Sequence, residues 1–228
     1  DALPIWKSVN KKKNGGFKNM EFSEHYTNLK KKIDLRKTAI LIVDMMNDFC
    51  KPGGKMVLDD GYLVVEPIQR LVEAGRKHGI PIIWICQKYR ADKYDKVTEK
   101  REGTCYEGTW GGQQIEELPI LPEDYVVNKR RYSGFFQTDL DLTLRDMGCE
   151  KVIVGGVVTN ICVRGTVADA FQLDYEVFVP RDCVRATSER EQESQMWDFE
   201  THFATVTSAN ELIAAMGELK PGDECRIV

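Results

Sequence analysis

Ala39-Ile40-Leu41-Ile42-Val43 runs directly into Asp44. A continuous apolar run rich in β-branched residues reads as a strand covered on both faces, because a half-exposed strand alternates with polar residues. Downstream, Val64, Ile68, Leu71, Val72 and Ala74 recur at helical spacing until His78-Gly79, a glycine stop for a helix. Pro81-Ile82-Ile83-Trp84-Ile85 is a second strand. The alternation continues with strands at 125–127, 151–158, 176–179 and 204–207, and helices at 140–147, 161–173, 188–202 and 210–216. Strands alternating with helices predict an α/β fold, a parallel sheet covered on both faces with right-handed crossovers. Residues 88–118, polar and dotted with glycine, predict a long loop with one short helix, a length that in compact domains goes with function.

Ligands of such folds sit beyond the carboxyl ends of the strands. Those ends carry Asp44, Gln87, Lys129 and Thr159 to Cys162. A dinucleotide fingerprint needs G-x-G-x-x-G after a strand, and Gly155-Gly156-Val157-Val158-Thr159 does not supply it. Gly53-Gly54-Lys55 lacks the upstream glycine and following hydroxyl of a P-loop, and Asp44 has no second aspartate two residues on for phosphatase chemistry.

The composition, with 42% hydrophobic and 30% charged residues in 228, is that of a globular chain with a sizeable core. No apolar stretch approaches the ~20 residues a bilayer requires, and no signal segment is evident, so a soluble protein is expected. The formal net charge of −4 is uneven: residues 1–37 carry 10 Lys/Arg against 4 Asp/Glu, and the remainder 22 against 32. Lys11-Lys12-Lys13 and Lys30-Lys31-Lys32 read as a solvated basic extension over 1–37, ahead of one domain at 38–228. A nucleic-acid or membrane arm is the other reading. It lacks aromatic platforms, and the acidic body opposes phosphate binding. Seven cysteines without a C-x-x-C pair argue against a zinc ribbon or a disulfide framework and suit a reducing cytoplasm. Histidines number three, His25, His78 and His202, and none falls on a strand end.

Cys162 follows the strand 151–158 at the predicted start of a helix. A sulfur there meets the positive end of the helix dipole and unpaired N–H groups, which favour thiolate and hold an oxyanion. A buried structural cysteine is the plainer reading. A cysteine nucleophile needs a base, and Asp44 and Lys129 stand on strand ends where a carboxylate and an ammonium tune one another. Taken singly, Asp44 also reads as a cap and Lys129 as a surface charge. Three complementary groups on three carboxyl ends favour the catalytic reading.

Three blocks carry a resemblance: Leu41-Ile42-Val43-Asp44-Met45-Met46-Asn47-Asp48-Phe49, Lys129-Arg130-Arg131-Tyr132-Ser133-Gly134-Phe135-Phe136, and Gly156-Val157-Val158-Thr159-Asn160-Ile161-Cys162-Val163. Together they resemble the signature blocks of the isochorismatase-like cysteine hydrolases, over roughly residues 35–215. The resemblance implies a Rossmann-like three-layer αβα fold with a six-stranded parallel sheet. It implies an Asp44-Lys129-Cys162 triad, and an oxyanion hole from the N–H groups of Val158 and Cys162 beside a cis Val157–Val158 bond. No cofactor is implied.

Within the family, nicotinamidases carry a metal site of one Asp and two His. Asp59 or Asp60 offers the acid, but residues 87–94 hold no histidine, so no metal is expected. Isochorismatases proper lack the cysteine. The second and third blocks look most like the ureidoacrylate amidohydrolase branch, with N-carbamoylsarcosine amidohydrolases and biuret hydrolases as close relations. The resemblance thus implies release of ammonia from a small linear amide or a ureido or carbamoyl compound. It places Phe49, Gln87, Tyr89 and Tyr132 at the substrate. Gln87 and Tyr89 stand where that branch usually has Asn and Trp. Trp110 is expected in a loop over the site or in a subunit contact, and a homo-oligomer, dimer or tetramer, is implied. Alternatives are a nicotinamidase-type amidase, and a thiol-based redox or non-catalytic interaction protein.

Overall fold

The computed structural model describes residues 32–100 and 103–226. The lysine triplet at 11–13 and most of the basic extension lie outside them. Seven strands form one sheet: β1 (Thr38–Val43), β2 (Ile82–Gln87), β3 (Tyr125–Lys129), β4 (Lys151–Val157), β5 (Glu176–Pro180), β6 (Val184–Arg185) and β7 (Thr205–Thr207). Six run in the order β3-β2-β1-β4-β5-β7, and the two-residue β6 pairs with β4 off that path. Every pairing is parallel. The expected six-stranded sheet is therefore present, with one short addition too brief to leave a hydrophobic pattern.

The longer helices among the described residues are α1 (Val65–Lys77), α2 (Leu140–Asp146), α3 (Arg164–Gln172), α4 (Glu189–Asp198) and α5 (Ala209–Met216). Alternation along β1 divides the core into two layers. Ile40 and Ile42 pack with Ile68, Leu71, Leu212 and Met216 of α1 and α5. Ala39, Leu41 and Val43 pack on the other face with Leu140, Leu144, Val167 and Met196 of α2, α3 and α4. Each such aliphatic side chain contributes about 1.5–3 kcal/mol on full burial, and all six residues of β1 are buried. The continuous apolar run is thus explained: neither face of β1 meets water.

Chain order and spatial order diverge at β1, which has β2 on one side and β4 on the other. In doubly wound sheets the crevice at that divergence, beyond the carboxyl ends, holds the ligand. Gly156 makes the close approach of β4 to β1 possible. Its φ is +109°, and a Cβ there would lie 2.0 Å from the Val43 carbonyl oxygen.

The loop at 88–118 forms no short helix among its described residues. Isolated bridges hold it instead, Tyr89 with Tyr106 and Met46 with Gln114. Asp48 is the central staple, its carboxylate accepting from the N–H of Lys55 (3.0 Å) and of Cys105 (2.6 Å). A Cβ at Gly111 would collide with that carboxylate at 2.2 Å. Cys149 and Cys225 are joined as a disulfide across 76 residues, one bridge that the argument against a disulfide framework did not foresee. The pairing left no sequence signal because the fold creates it: the C-terminal segment returns beside the α2–β4 connection, where Arg226 N–H donates to the Met147 carbonyl.

Candidate active site

Asp44, Lys129 and Cys162 meet at the crevice between β1 and β4. Asp44 follows β1 with φ +53°, a left-handed conformation that aspartate and asparagine tolerate better than most residues. Lys129 ends β3, and Cys162 lies in a π-type turn, Thr159–Val163, that leads into α3. Asp44 and Lys129 are fully buried, and Cys162 is 7% exposed. Lys129 Nζ stands 2.7 Å from Asp44 Oδ2 and 3.5 Å from Cys162 Sγ. It also donates to Gln87 Oε1 at 2.7 Å and to the Arg131 carbonyl at 3.2 Å. The contact with Asp44 has ion-pair geometry, and neither carboxylate oxygen has a hydrogen-bond partner of regular geometry. That leaves Asp44 available to the Cys162 thiol, whose value its negative charge raises.

Burial pushes the Cys162 thiol up to about 12, with Lys129 pulling it down and Asp44 pushing it further up. The resting sulfur is therefore a neutral thiol, and the sequence-based expectation of a thiolate favoured by the helix terminus gives way to desolvation. Burial also opposes the charge on Lys129, but the Asp44 carboxylate outweighs it, and the ammonium is held above its ordinary value.

The remaining free cysteines shift the same way, chiefly through burial: Cys50 to about 12, Cys86 to about 11, and Cys105 and Cys183 upward as well. An unfolded chain releases these protons near pH 8.5, whereas the folded chain retains them. The folded state then binds more protons above that pH, so its stability falls as pH rises. Each such thiol contributes up to about 1.4 kcal/mol of loss per pH unit. The melting temperature is expected to hold between pH 7 and 8 and to drop steeply from about pH 9 upward. A flat melting profile to pH 10.5 contradicts these assignments.

A cavity of about 390 Å³ opens onto the Cys162 sulfur. Phe49, Gln87, Tyr89 and Tyr132 all line it, together with Val158. The structure thus gathers every proposed substrate-facing residue at one place, and the Val157–Val158 bond is cis. Gln87 differs from expectation in its contacts, since its amide is bonded at both ends to Lys129. Asn160, within the strand-end segment 159–162, lines the cavity too, and so do Met56, Val57, Leu58, Thr104 and Thr187, which sequence reasoning missed. They sit in loops whose approach depends on staples such as Asp48, and no periodicity marks them. Trp110 is 49% exposed and is not among the lining residues.

Asp59 lines the cavity, whereas Asp60 pairs with Arg185 at 2.8 Å. Among the described residues no group of three or more His, Cys, Asp or Glu side chains is placed to hold a metal ion. No helix there is long and apolar enough to cross a membrane.

A parallel α/β sheet presenting a thiol, an ammonium and a carboxylate at its switch point defines a class of hydrolase scaffold. The chain belongs to the isochorismatase family, whose domain matches residues 38–211. It is 35% identical over 148 residues to a probable inactive nicotinamidase of Arabidopsis thaliana, covering 61% of this chain and 76% of that protein. It is 27% identical over 215 residues to a ureidoacrylate amidohydrolase of Caulobacter vibrioides, covering 83% and 96%. Among solved structures, a cysteine hydrolase from Pseudomonas syringae superposes with a TM-score of 0.79 at 27% identity, over 82% of this chain and 96% of that one. An N-carbamoylsarcosine amidase from Thermoplasma acidophilum superposes at 0.69 with 29% identity, over 76% and 96%.

Proposed function

We propose that this hydrolase is a cysteine-dependent amidohydrolase that releases ammonia from a small linear ureido or carbamoyl compound through a thioester. The observation that carries the reading is the buried contact of Lys129 Nζ with both Asp44 and Cys162 beside a cavity that Cys162 lines. The similarity to a ureidoacrylate amidohydrolase and an N-carbamoylsarcosine amidase supports the substrate class.

Asp44 accepts the thiol proton as Cys162 attacks the carbonyl carbon, while Lys129 orients the carboxylate. The N–H groups of Val158 and Cys162 receive the oxyanion, an arrangement in which each donor is worth about 10²–10³ in rate. Asp44 then returns the proton to the leaving nitrogen, the C–N bond breaks and ammonia departs. Water attacks the remaining thioester as Asp44 takes its proton, and collapse of this second intermediate restores the thiol and frees the acid. A base that works as the sulfur attacks suits a thiol that rests protonated.

A nicotinamidase-type activity is the second reading. Phe49, Tyr89 and Tyr132 offer aromatic walls for a ring, although the 35% identical relative is named a probable inactive nicotinamidase. An ammonia-release screen over ureido acids, biuret, carbamoyl amino acids, maleamate and nicotinamide separates the two. Turnover of ureido or carbamoyl compounds supports the first reading, and turnover of nicotinamide alone overturns it. Asp59 adds a charge test, because its carboxylate repels an anionic tail. Asp59→Asn is expected to raise kcat/KM for ureido acids about two- to fivefold relative to biuret, the modest size reflecting an exposed charge. Equal changes for both substrates count against Asp59 facing the substrate tail. Assembly as a homo-oligomer belongs to the proposal and is tested by light scattering.

A further inference from the structure

Lys129 stands on β3, two strands from β1, whose end carries Asp44. Neighbouring strands lie about 4.8 Å apart, so the lysine stem must cross over β2 to reach the carboxylate. The residue beside it on β2 is Gln87, its partner in strand register. Gln87 is 1% exposed. Its Oε1 accepts from Lys129 Nζ at 2.7 Å, and its Nε2 donates to the Lys129 carbonyl oxygen at 3.0 Å. One side chain thereby grips both ends of another.

The geometry at Nζ gives this grip its consequence. An ammonium has three protons. Asp44, Gln87 and the Arg131 carbonyl, at 2.7, 2.7 and 3.2 Å, take the three nearest acceptor positions, and Cys162 Sγ completes the surroundings at 3.5 Å. Gln87 is an uncharged acceptor beside the Asp44 carboxylate. It fixes the ammonium without competing with Asp44 for its charge. A lysine is a flexible four-carbon stem, and this clamp removes its rotamer freedom before substrate arrives.

We infer that Gln87 is a positioning residue that clamps Lys129 between Asp44 and Cys162, and that its main role is not substrate contact. The inference rests on Cys162 being the nucleophile and Lys129 its partner, and it deepens that reading. Loss of the clamp lets the ammonium drift from the sulfur, and a carboxylate in its place draws the ammonium away.

The decisive experiment needs no substrate. The rate of Cys162 alkylation by iodoacetamide is measured against pH for the wild type, Gln87→Met and Gln87→Glu. The modified peptide is quantified by mass spectrometry, with Cys162→Ala as the blank for the other cysteines. Because Lys129 favours the thiolate, both variants are expected to alkylate about three- to tenfold more slowly at pH 8. Their profiles are expected to lie at higher pH, with Gln87→Glu displaced further. Coincident profiles in folded protein overturn the clamp, whatever the amidase screen shows. Should Gln87→Met fail to fold, the near-isosteric Gln87→Glu carries the test alone. Where the screen yields a substrate, kcat is expected to fall with KM held within about twofold, whereas a substrate contact raises KM and leaves the alkylation profile in place.

Discussion

Cys162→Ala is expected to abolish ammonia release, a loss on the order of 10³ or more, while the protein stays folded. The two halves of this expectation have separate causes. Thioester formation needs a nucleophile at that position, and no other free cysteine is among the cavity-lining residues. The nucleophile of a concerted set cannot be removed piecemeal, so what survives is only the modest effect of binding and oxyanion stabilisation. Stability is little affected, because the change removes one sulfur from the wall of an existing cavity and leaves the Asp44–Lys129 pair intact. Circular dichroism and the melting curve should match the wild type within a few degrees. Near-wild-type turnover refutes the mechanism. The redox alternative is tested in the same sample series. A thiol held near pH 12 is scarcely ionised at neutrality, so slow sulfenate formation on Cys162 under mild peroxide is expected. Rapid oxidation without amidase turnover on any tested compound supports the rival.

Much of this site was legible in the sequence because strand ends are legible. An apolar run such as 39–43 or 152–158 must be buried on both faces, and the chemically active residues just after it must lie at the carboxyl edge of the sheet. Asp44 and Cys162 were found by that rule, and Lys129 by the same rule on a weaker strand whose pattern is half exposed. The charge state of Cys162 was not legible. Helix-terminus reasoning weighs one favourable field, but the sulfur sits deep enough that desolvation dominates, and burial depth is a property of the folded whole. The role of Gln87 was hidden for a related reason. Its position after β2 marked it as facing the crevice, yet its partner is set by strand order, which brings Lys129 alongside from 42 residues away. The disulfide and the wall at 56–58 were invisible because both are made by irregular segments, whose course is fixed by single staples and not by any repeating pattern.

Asp44→Asn is expected to separate two properties that usually travel together, making the sulfur more reactive and the enzyme inactive. Asparagine suits the left-handed backbone at φ +53°, so the strand end keeps its course, whereas Asp44→Ala would add strain there. The substitution removes the buried negative charge that holds the Cys162 thiol up and leaves Lys129, which pulls it down. The thiol is therefore expected to ionise at lower pH, with the thiolate replacing the carboxylate as the ammonium's counterion. Iodoacetamide labelling of Cys162 at pH 7 should rise several-fold. Ammonia release should nonetheless fall by about 10³ or more, because a neutral amide can neither protonate the leaving nitrogen nor activate the water that clears a thioester. Stability should drop by no more than about 3–5 kcal/mol, the cost of stripping one partner from a buried pair, and by less where the thiolate compensates. Labelling slower than in the wild type means that Asp44 does not hold the resting thiol protonated. Retained turnover means that the proton travels by another group, and either result removes Asp44 from the role assigned to it.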